Sequence, residues 1–224
     1  EIDAASIVYS PGTVDALDAA VRAFTAPGDG VIIQRPVYGP FTQVIERNGR
    51  VIVNNALVNH DGYYTIDFAD FAAKAQDPQN KLFILCSPHN PVGRVWTPAE
   101  LTQLAQICLA NEVVLVADEI HGDLIRQGQT HYPICSLVDD DRLIACTAIN
   151  KTFNVAGLHC SNIIINNTAM RTRFIEVMGF KSPNPFAISA LIAAYNHGEE
   201  WLTQLNTYLN GNLAYLDQFL KTHM

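Results

Sequence analysis

Residues 147–158 read TAINKTFNVAGL and contain one lysine, Lys151. Two apolar runs with the composition of buried strands, 143–145 and 163–165, lie on either side of this segment. A lysine that is partly desolvated there loses its charge readily, and the neutral amine can form a Schiff base with a carbonyl group. The alternative is an ordinary lysine that reaches from the end of a strand into water. The other segments of the chain decide between these two interpretations.

Strand-like and helix-like patterns alternate through the rest of the chain. Apolar runs typical of strands cover residues 6–9, 31–33, 51–53, 82–85 and 113–116. Helical patterns begin near Thr13 and also cover residues 41–45, 68–72, 98–110, 185–196 and 201–220. A turn at Asp61 and Gly62 is expected to lead into the helix near Phe68. This alternation predicts a three-layer α/β/α fold, with helices on both faces of a mostly parallel sheet.

Composition excludes several classes of protein. Of the 224 residues, 49% are hydrophobic and 16% are charged, which allows a large core and argues against disorder. The net charge of −8 argues against nucleic acid or an anionic membrane as a partner, and no apolar run reaches the roughly 18 residues that span a bilayer. Five scattered cysteines without a C-x-x-C pair favour reduced thiols in a cytoplasmic protein.

The two ends of the sequence suggest a piece of a longer protein. The chain begins at Glu1 without an initiator methionine and stops directly after a helical pattern. We therefore expect residues 1–200 to form one large domain and residues 201–224 to form a helix that leads toward a C-terminal small domain.

Polar or unusual groups follow several of the predicted strands, where ligands bind in open α/β sheets. The turn at Gly12, Thr13 and Val14 opens a helix and offers backbone N–H groups and a favourable dipole to a phosphate, although a plain turn is the alternative. Tyr38 lies in a loop fixed by two prolines and suits stacking on a flat ligand, or packing under the loop. Asn90 lies in a proline-bracketed turn and offers neutral hydrogen bonds.

Asp118 directly follows the apolar run 113–116, where a carboxylate is costly to bury without a cation. A protonated heterocyclic nitrogen would serve as that cation. A metal site formed by Asp118, Glu119, His121 and Asp123 is the alternative interpretation, although no second ligand cluster with convincing spacing is present. Taken together, the phosphate turn, the tyrosine, the asparagine, the aspartate and Lys151 fit one ligand, a planar phosphorylated pyridinium aldehyde.

The chain resembles the fold-type I enzymes that depend on pyridoxal 5′-phosphate (PLP), the aspartate aminotransferase superfamily, and above all its cystathionine β-lyase (C–S lyase) branch. The motifs that carry this resemblance lie at residues 10–12, 36–38, 87–94, 118–124 and 151–158. His89, His121 and the run Lys-Thr-Phe-Asn at 151–154 are similar to the lyase branch more than to general aminotransferases. The resemblance covers nearly all of the chain and implies the large domain of a PLP-dependent transferase.

The resemblance also implies a role for each matching residue. Lys151 would be the Schiff-base lysine and the catalytic base, and Asp118 would pair with the protonated pyridine nitrogen. Asn90 would hydrogen-bond the phenolic oxygen with His121 nearby, Tyr38 would stack on the ring, and Gly12, Thr13 and Val14 would bind the phosphate. No metal is implied. The chain departs from the family at two positions, with Asn150 where serine often precedes the lysine and His159 where many aminotransferases have arginine.

The expected reaction is β-elimination at the C–S bond of cystathionine or a related cysteine conjugate, which gives pyruvate, ammonia and a thiol. An amino-acid aminotransferase of the same superfamily is the alternative, because the same residues serve both reactions. A second alternative is a regulator or binding module that has kept the fold, although no basic DNA-binding segment is present. The resemblance further implies a small amino-acid substrate and a homodimer.

Overall fold

The computed structural model describes residues 2–224, which form nine strands and nine helices. The strands are β1 (Ile7–Ser10), β2 (Gly30–Ile33), β3 (Val51–Asn54), β4 (Val58–His60), β5 (Tyr63–Thr65), β6 (Asn80–Cys86), β7 (Val114–Asp118), β8 (Leu143–Thr147) and β9 (Ser161–Ile165). The helices are α1 (Thr13–Phe24), α2 (Gly39–Arg47), α3 (Phe68–Gln76), α4 (Pro98–Ala110), α5 (Ile134–Leu137), α6 (Ile149–Thr152), α7 (Thr168–Met178), α8 (Pro185–His197) and α9 (Glu199–His223). Short 3₁₀ turns cover Ala4–Ser6 and Ala156–Leu158.

Seven of these strands form one sheet in the order β1-β9-β8-β7-β6-β2-β3. The neighbours from β8 to β3 are all parallel, whereas β9 is antiparallel to both β8 and β1. The chain passes from β8 directly to its antiparallel neighbour, so residues 148–160 stay at the carboxyl end of β8 instead of crossing a face of the sheet. The predicted mostly parallel sheet is confirmed, and the segment that contains Lys151 lies at its ligand-binding edge.

Each face of the sheet carries its own hydrophobic core. Side chains alternate along the strands, so Ile84 packs on one face while Leu85 packs on the other. Helices α1, α2 and α7 cover the first face with residues such as Leu17 and Phe174, and α3 and α4 cover the second with residues such as Leu101. The three-layer α/β/α architecture is therefore confirmed.

Helix α4 begins and ends where its sequence predicts. Thr97 accepts the backbone N–H of Glu100, and the Glu100 carboxylate accepts the backbone N–H of Thr97, which forms a capping box in front of Pro98. All five cysteines carry free thiols, as their spacing predicted. The long C-terminal helix is also present, as α9.

The predicted turn at Asp61 and Gly62 and the helix near Phe68 are both present, but the sequence does not predict the two short strands on either side of the turn. The turn at Asp61 and Gly62 does not lead directly into a helix; it connects β4 and β5 in a hairpin that pairs His60 with Tyr63. Both turn residues have positive φ angles, 50° and 91°, which is the backbone conformation of a two-residue hairpin turn. Helix α7 was not predicted either. Among residues 2–224, no helix combines the length and the apolar character that crossing a membrane requires.

Candidate active site

A cavity of about 390 Å³ opens at the carboxyl ends of β6, β7 and β8. Its size is within the range of small-molecule sites. All eight residues predicted from the sequence line this cavity, namely Gly12, Thr13, Val14, Tyr38, Asn90, Asp118, His121 and Lys151. The lining also includes residues that the sequence reasoning did not place in the site, namely Pro11, Asp15, Cys86, Ile120, Asn150, Ala156 and His159.

Asp118 is the last residue of β7 and its side chain is buried, with 6% of its surface exposed. Its carboxylate accepts the backbone N–H of Ile120 at 3.3 Å, and no lysine, arginine or histidine within residues 2–224 forms an ion pair with it. Burial raises the pKa of Asp118 to about 7, against the opposing effects of the Ile120 N–H and the charge of Lys151. A cationic group in the cavity would favour the ionised carboxylate.

Lys151 lies on α6, a single turn of helix just beyond β8. The side chain of Lys151 is exposed. The sequence predicted partial desolvation from the apolar runs on either side, and that prediction is wrong. The physical reason is that α6 lies past the end of the strand, where the amine can reach both the cavity and water. Lys151 nevertheless lines the same cavity as Asp118, which an ordinary strand-end lysine would have no reason to do.

The amino end of α1 forms another wall of the cavity. Gly12 precedes the helix in an extended conformation and supplies no side-chain cap, which leaves the first N–H groups of α1 available to a ligand. The Ser10 hydroxyl donates to the Gly12 carbonyl at 2.8 Å and fixes the turn, while the buried Thr13 hydroxyl lies 3.4 Å from the Ser161 hydroxyl. Thr13 therefore offers its backbone rather than its side chain to the cavity.

Three more side chains complete the site. Tyr38 lies directly before α2 with 39% of its surface exposed, and its ring meets Phe41 edge-on at 6.2 Å between centroids. Asn90 is half-buried in a turn in which its backbone N–H donates to Cys86 Sγ at 3.3 Å. Burial and the charge of Lys151 both lower the pKa of His121, so its imidazole is neutral at pH 7.

Asn90 and His121 also line a second cavity of about 660 Å³. Arg94 lies in that cavity, but its guanidinium is bound to both oxygens of the Glu100 carboxylate at 2.8 and 2.9 Å. The two cavities therefore meet at a pair of neutral hydrogen-bonding side chains.

The carboxylates of the alternative metal site point in different directions. Asp118 faces the cavity, Glu119 accepts the backbone N–H of Ile134 at 2.7 Å, and Asp123 accepts the Thr152 hydroxyl at 2.8 Å. Within residues 2–224, no three histidine, cysteine, aspartate or glutamate side chains converge as a metal site would require.

The family model for aminotransferase class I and II matches residues 1–223. The chain belongs to this family. Cystathionine beta-lyase PatB of Bacillus subtilis (strain 168) is 46% identical to it over 229 residues, which cover 100% of this chain and 59% of that protein. The resemblance to the C–S lyase branch of the family is therefore confirmed.

Two solved structures of relatives have closely similar folds. Cystalysin from Treponema denticola, whose crystal structure contains a pyridoxal 5′-phosphate cofactor, superposes with a TM-score of 0.96 at 39% identity and covers 99% of this chain and 57% of its own. The PLP-bound C–S lyase from Staphylococcus hominis has a TM-score of 0.94 at 41% identity, over 99% and 56% of the two chains. The chain thus spans less than three fifths of these relatives' length.

The sequence carries a signal for two further residues that line the cavity, Asn150 and Asp15. Asn150 directly precedes Lys151, is buried, and has a side-chain oxygen without a hydrogen-bond partner among residues 2–224. This oxygen is a hydrogen-bond acceptor whose partner a ligand could supply. Asp15 lies in the first turn of α1, and a Cβ placed on Gly12 would lie 2.9 Å from its carboxylate oxygen. Acidic side chains are favoured near a helix N-terminus, and that preference predicts that the Asp15 carboxylate turns toward the amino end of α1.

Proposed function

We propose that the cavity binds pyridoxal 5′-phosphate and that the complete protein cleaves the C–S bond of cystathionine or a related cysteine conjugate. The products are pyruvate, ammonia and a thiol. The observation that carries this proposal is the placement of Asp118 and Lys151 in one cavity, since the buried acid there has no cation of its own. The 46% identity to a cystathionine β-lyase supports the choice of reaction.

The residues present fit the cofactor at each of its polar groups. Asp118 would hold the proton on the pyridine nitrogen, because burial disfavours the charged carboxylate and a cation beside it would favour that charge. Asn90 and the neutral His121 would hydrogen-bond the phenolic oxygen, and Tyr38 would cover the ring. The uncapped N–H groups at Gly12, Thr13 and Val14 would bind the phosphate. When bound, the cofactor supplies an electron-accepting ring that stabilises negative charge at the substrate's α-carbon.

Lys151 is the residue that moves the proton. Lys151 is exposed and lines the cavity, so its amine could hold the cofactor aldehyde and then, once released by the amino group of the substrate, take the proton from the α-carbon. The second cavity, which meets the first at Asn90 and His121, gives room for the group attached to the substrate's sulfur atom. The same residues would also support transamination, which is the second candidate because the chain belongs to the aminotransferase class I and II family.

Incubation of the complete protein with cystathionine tests the proposal. We expect pyruvate and a free thiol to form in equal amounts, and Lys151→Ala to lower the rate about 1000-fold or more because it loses both the anchor and the general base. Lys181→Ala is the matched control, since Lys181 is exposed and lies outside the cavity. Transamination without β-elimination would contradict the lyase assignment, and an unchanged rate in Lys151→Ala would contradict the site.

We also propose the arrangement of the longer protein. Every residue that lines the first cavity lies between Pro11 and His159, which supports residues 1–200 as the cofactor-binding domain and α9 as a helix that leads toward a small domain. Large apolar side chains are exposed on and just before α8, at Phe180, Phe186, Ile188 and Ile192, and such exposure supports a homodimer. Five free thiols support a cytoplasmic location.

A further inference from the structure

Helix α6 is too short to hold Lys151 in place by itself. It has four residues, and Ala148 before it provides no side-chain cap. A single turn of helix is unstable in isolation, because nucleation fixes several dihedral angles for one hydrogen bond. Something outside α6 must therefore decide where Lys151 points.

Thr152, the residue after Lys151, makes that external contact. Successive residues on a helix point about 100° apart, so Lys151 can face the cavity while Thr152 faces the protein. The Thr152 side chain is 1% exposed, and its hydroxyl donates to Asp123 Oδ2 at 2.8 Å. This hydrogen bond resists any rotation of α6 that would turn Lys151 away from the cavity.

Asp123 belongs to the same turn as Asp118 and His121, two ionisable residues that line the cavity. The turn begins at Asp118, and Gly122 and Leu124 close it through backbone hydrogen bonds to Glu119 and His121. The far side of the turn is held by α9, whose Asn206 side chain donates to the Asp123 carbonyl at 3.0 Å. Asp123 itself is exposed and takes part in no ion pair within residues 2–224.

We propose that Thr152 and Asp123 form a positioning pair that fixes Lys151 relative to Asp118 and His121. The pair touches neither substrate nor cofactor and acts through Lys151. Its importance for catalysis rests on the proposed function, whereas its effect on the position of Lys151 does not.

Thr152→Val tests the pair with little disturbance of packing, since valine has the shape of threonine and Asp123 stays hydrated. The first readout is the pKa of His121, measured by NMR in the chain without cofactor. The positive charge of Lys151 lowers the pKa of His121, so Lys151→Met should raise it. We expect Thr152→Val to raise it in the same direction, and Thr152→Ser, which keeps the hydroxyl, to leave it at the wild-type value.

The second readout separates the position of Lys151 from the shape of the cavity. Thr152→Val should slow borohydride-trapped attachment of pyridoxal 5′-phosphate to Lys151 roughly 10- to 100-fold, since a misplaced reacting group costs about that much. Binding of pyridoxine 5′-phosphate, which has no aldehyde, should stay at the wild-type affinity. Thr172→Val on α7 is the control, because its hydroxyl bonds within its own helix.

The proposal is overturned if Thr152→Val matches the wild type in both readouts, or if Thr152→Ser is as impaired as Thr152→Val. Asp123→Ala provides a second route to the same answer, because the exposed side chain can be removed without opening a cavity. If the wild-type chain attaches no pyridoxal 5′-phosphate, the proposed function is wrong, and the His121 titration still decides whether the pair positions Lys151.

Discussion

Asp118 and Lys151 lie at the carboxyl ends of two neighbouring parallel strands of the same sheet, yet their side chains have opposite environments. Asp118 is the last residue of β7, is paired in register with Cys146 of β8, and is buried. Lys151 lies one short helix beyond β8 and is exposed. Both nevertheless line one cavity.

The difference separates two duties within one site. A group that must stay still and hold a charge benefits from the sheet, because strand hydrogen bonds fix its backbone and burial strengthens its electrostatic effect. A group that must attach, release and take a proton needs a mobile side chain, and an exposed position beyond the strand allows that mobility even where the helix backbone is held in place. Buried residues of the site should therefore have the larger effect on stability, and exposed ones should act mainly on ligand binding.

The largest expected effect comes from making the buried acid neutral. The pKa of Asp118 is raised from 3.8 to about 7, so the stability linked to this group is fully present below about pH 4 and is lost as the pH rises through 7. Without a cation paired directly with the carboxylate, its ionisation costs up to about 4 kcal/mol. Asp118→Asn should raise the unfolding free energy of the cofactor-free chain at pH 8 by up to that amount. Urea denaturation at pH 5, 6.5 and 8 measures the effect.

The gain should shrink as the pH falls toward 4, and the exposed Asp139→Asn should show no such trend. Some pH dependence should remain in Asp118→Asn, because burial is the largest of the effects that raise the pKa of Glu119 to about 7, and burial persists when the smaller effect of the Asp118 charge is removed. In the complete protein the same variant should lose activity, since asparagine cannot hold a proton on a pyridine nitrogen as a carboxylate does. A pH profile of stability identical to the wild type would show that Asp118 is not desolvated.

Tyr38 is an exposed residue of the site, in contrast to Asp118, and its substitution should have a smaller effect, on ligand binding more than on stability. Tyr38→Ala should weaken pyridoxal 5′-phosphate binding about 2- to 10-fold, because aromatic stacking contributes roughly 0.5–1.5 kcal/mol. The unfolding free energy should change by less than about 1 kcal/mol, because 39% of the side chain is exposed. Fluorescence titration and urea denaturation measure the two quantities.

Tyr38→Phe should bind as the wild type does, and the exposed Tyr208→Ala on α9 should change neither the affinity nor the unfolding free energy. If Tyr38→Ala lost as much unfolding free energy as binding free energy, the distinction between buried residues that act on stability and exposed residues that act on binding would be contradicted.

The buried half of this comparison is predictable from the sequence, and the exposed half is not. Apolar runs such as 113–116 predict a strand, and an acid directly after a buried strand has few places to go, so Asp118 was placed correctly. The exposure of Lys151 depends on where the single turn of α6 lies in space. The hydrophobicity of the neighbouring residues does not predict that position. The hairpin at 58–65 was missed for a related reason, since its strands have three residues each and β4 is wholly exposed. Periodicity is informative only where one face is buried.

The smallest expected effect concerns Asp15, which the sequence reasoning did not place in the site. Its exposed carboxylate lies beside Gly12, at the helix end proposed to bind phosphate. There it interacts favourably with the dipole of α1 but repels a phosphate. Asp15→Asn should therefore lower the unfolding free energy by about 0.3–1 kcal/mol and raise the affinity for pyridoxal 5′-phosphate by a factor of about 2–5.

Salt and a matched variant make this last effect testable despite its size. Repulsion between two exposed charges is screened by ions, so the gain in Asp15→Asn should be larger at 20 mM than at 500 mM salt, roughly in line with the shorter screening length. Asp139→Asn removes the same charge at the opposite edge of the sheet, ahead of β8, and should leave the affinity unchanged. A weaker affinity in Asp15→Asn would mean that the carboxylate helps to hold the ligand, and the phosphate would then have to lie elsewhere than at the amino end of α1.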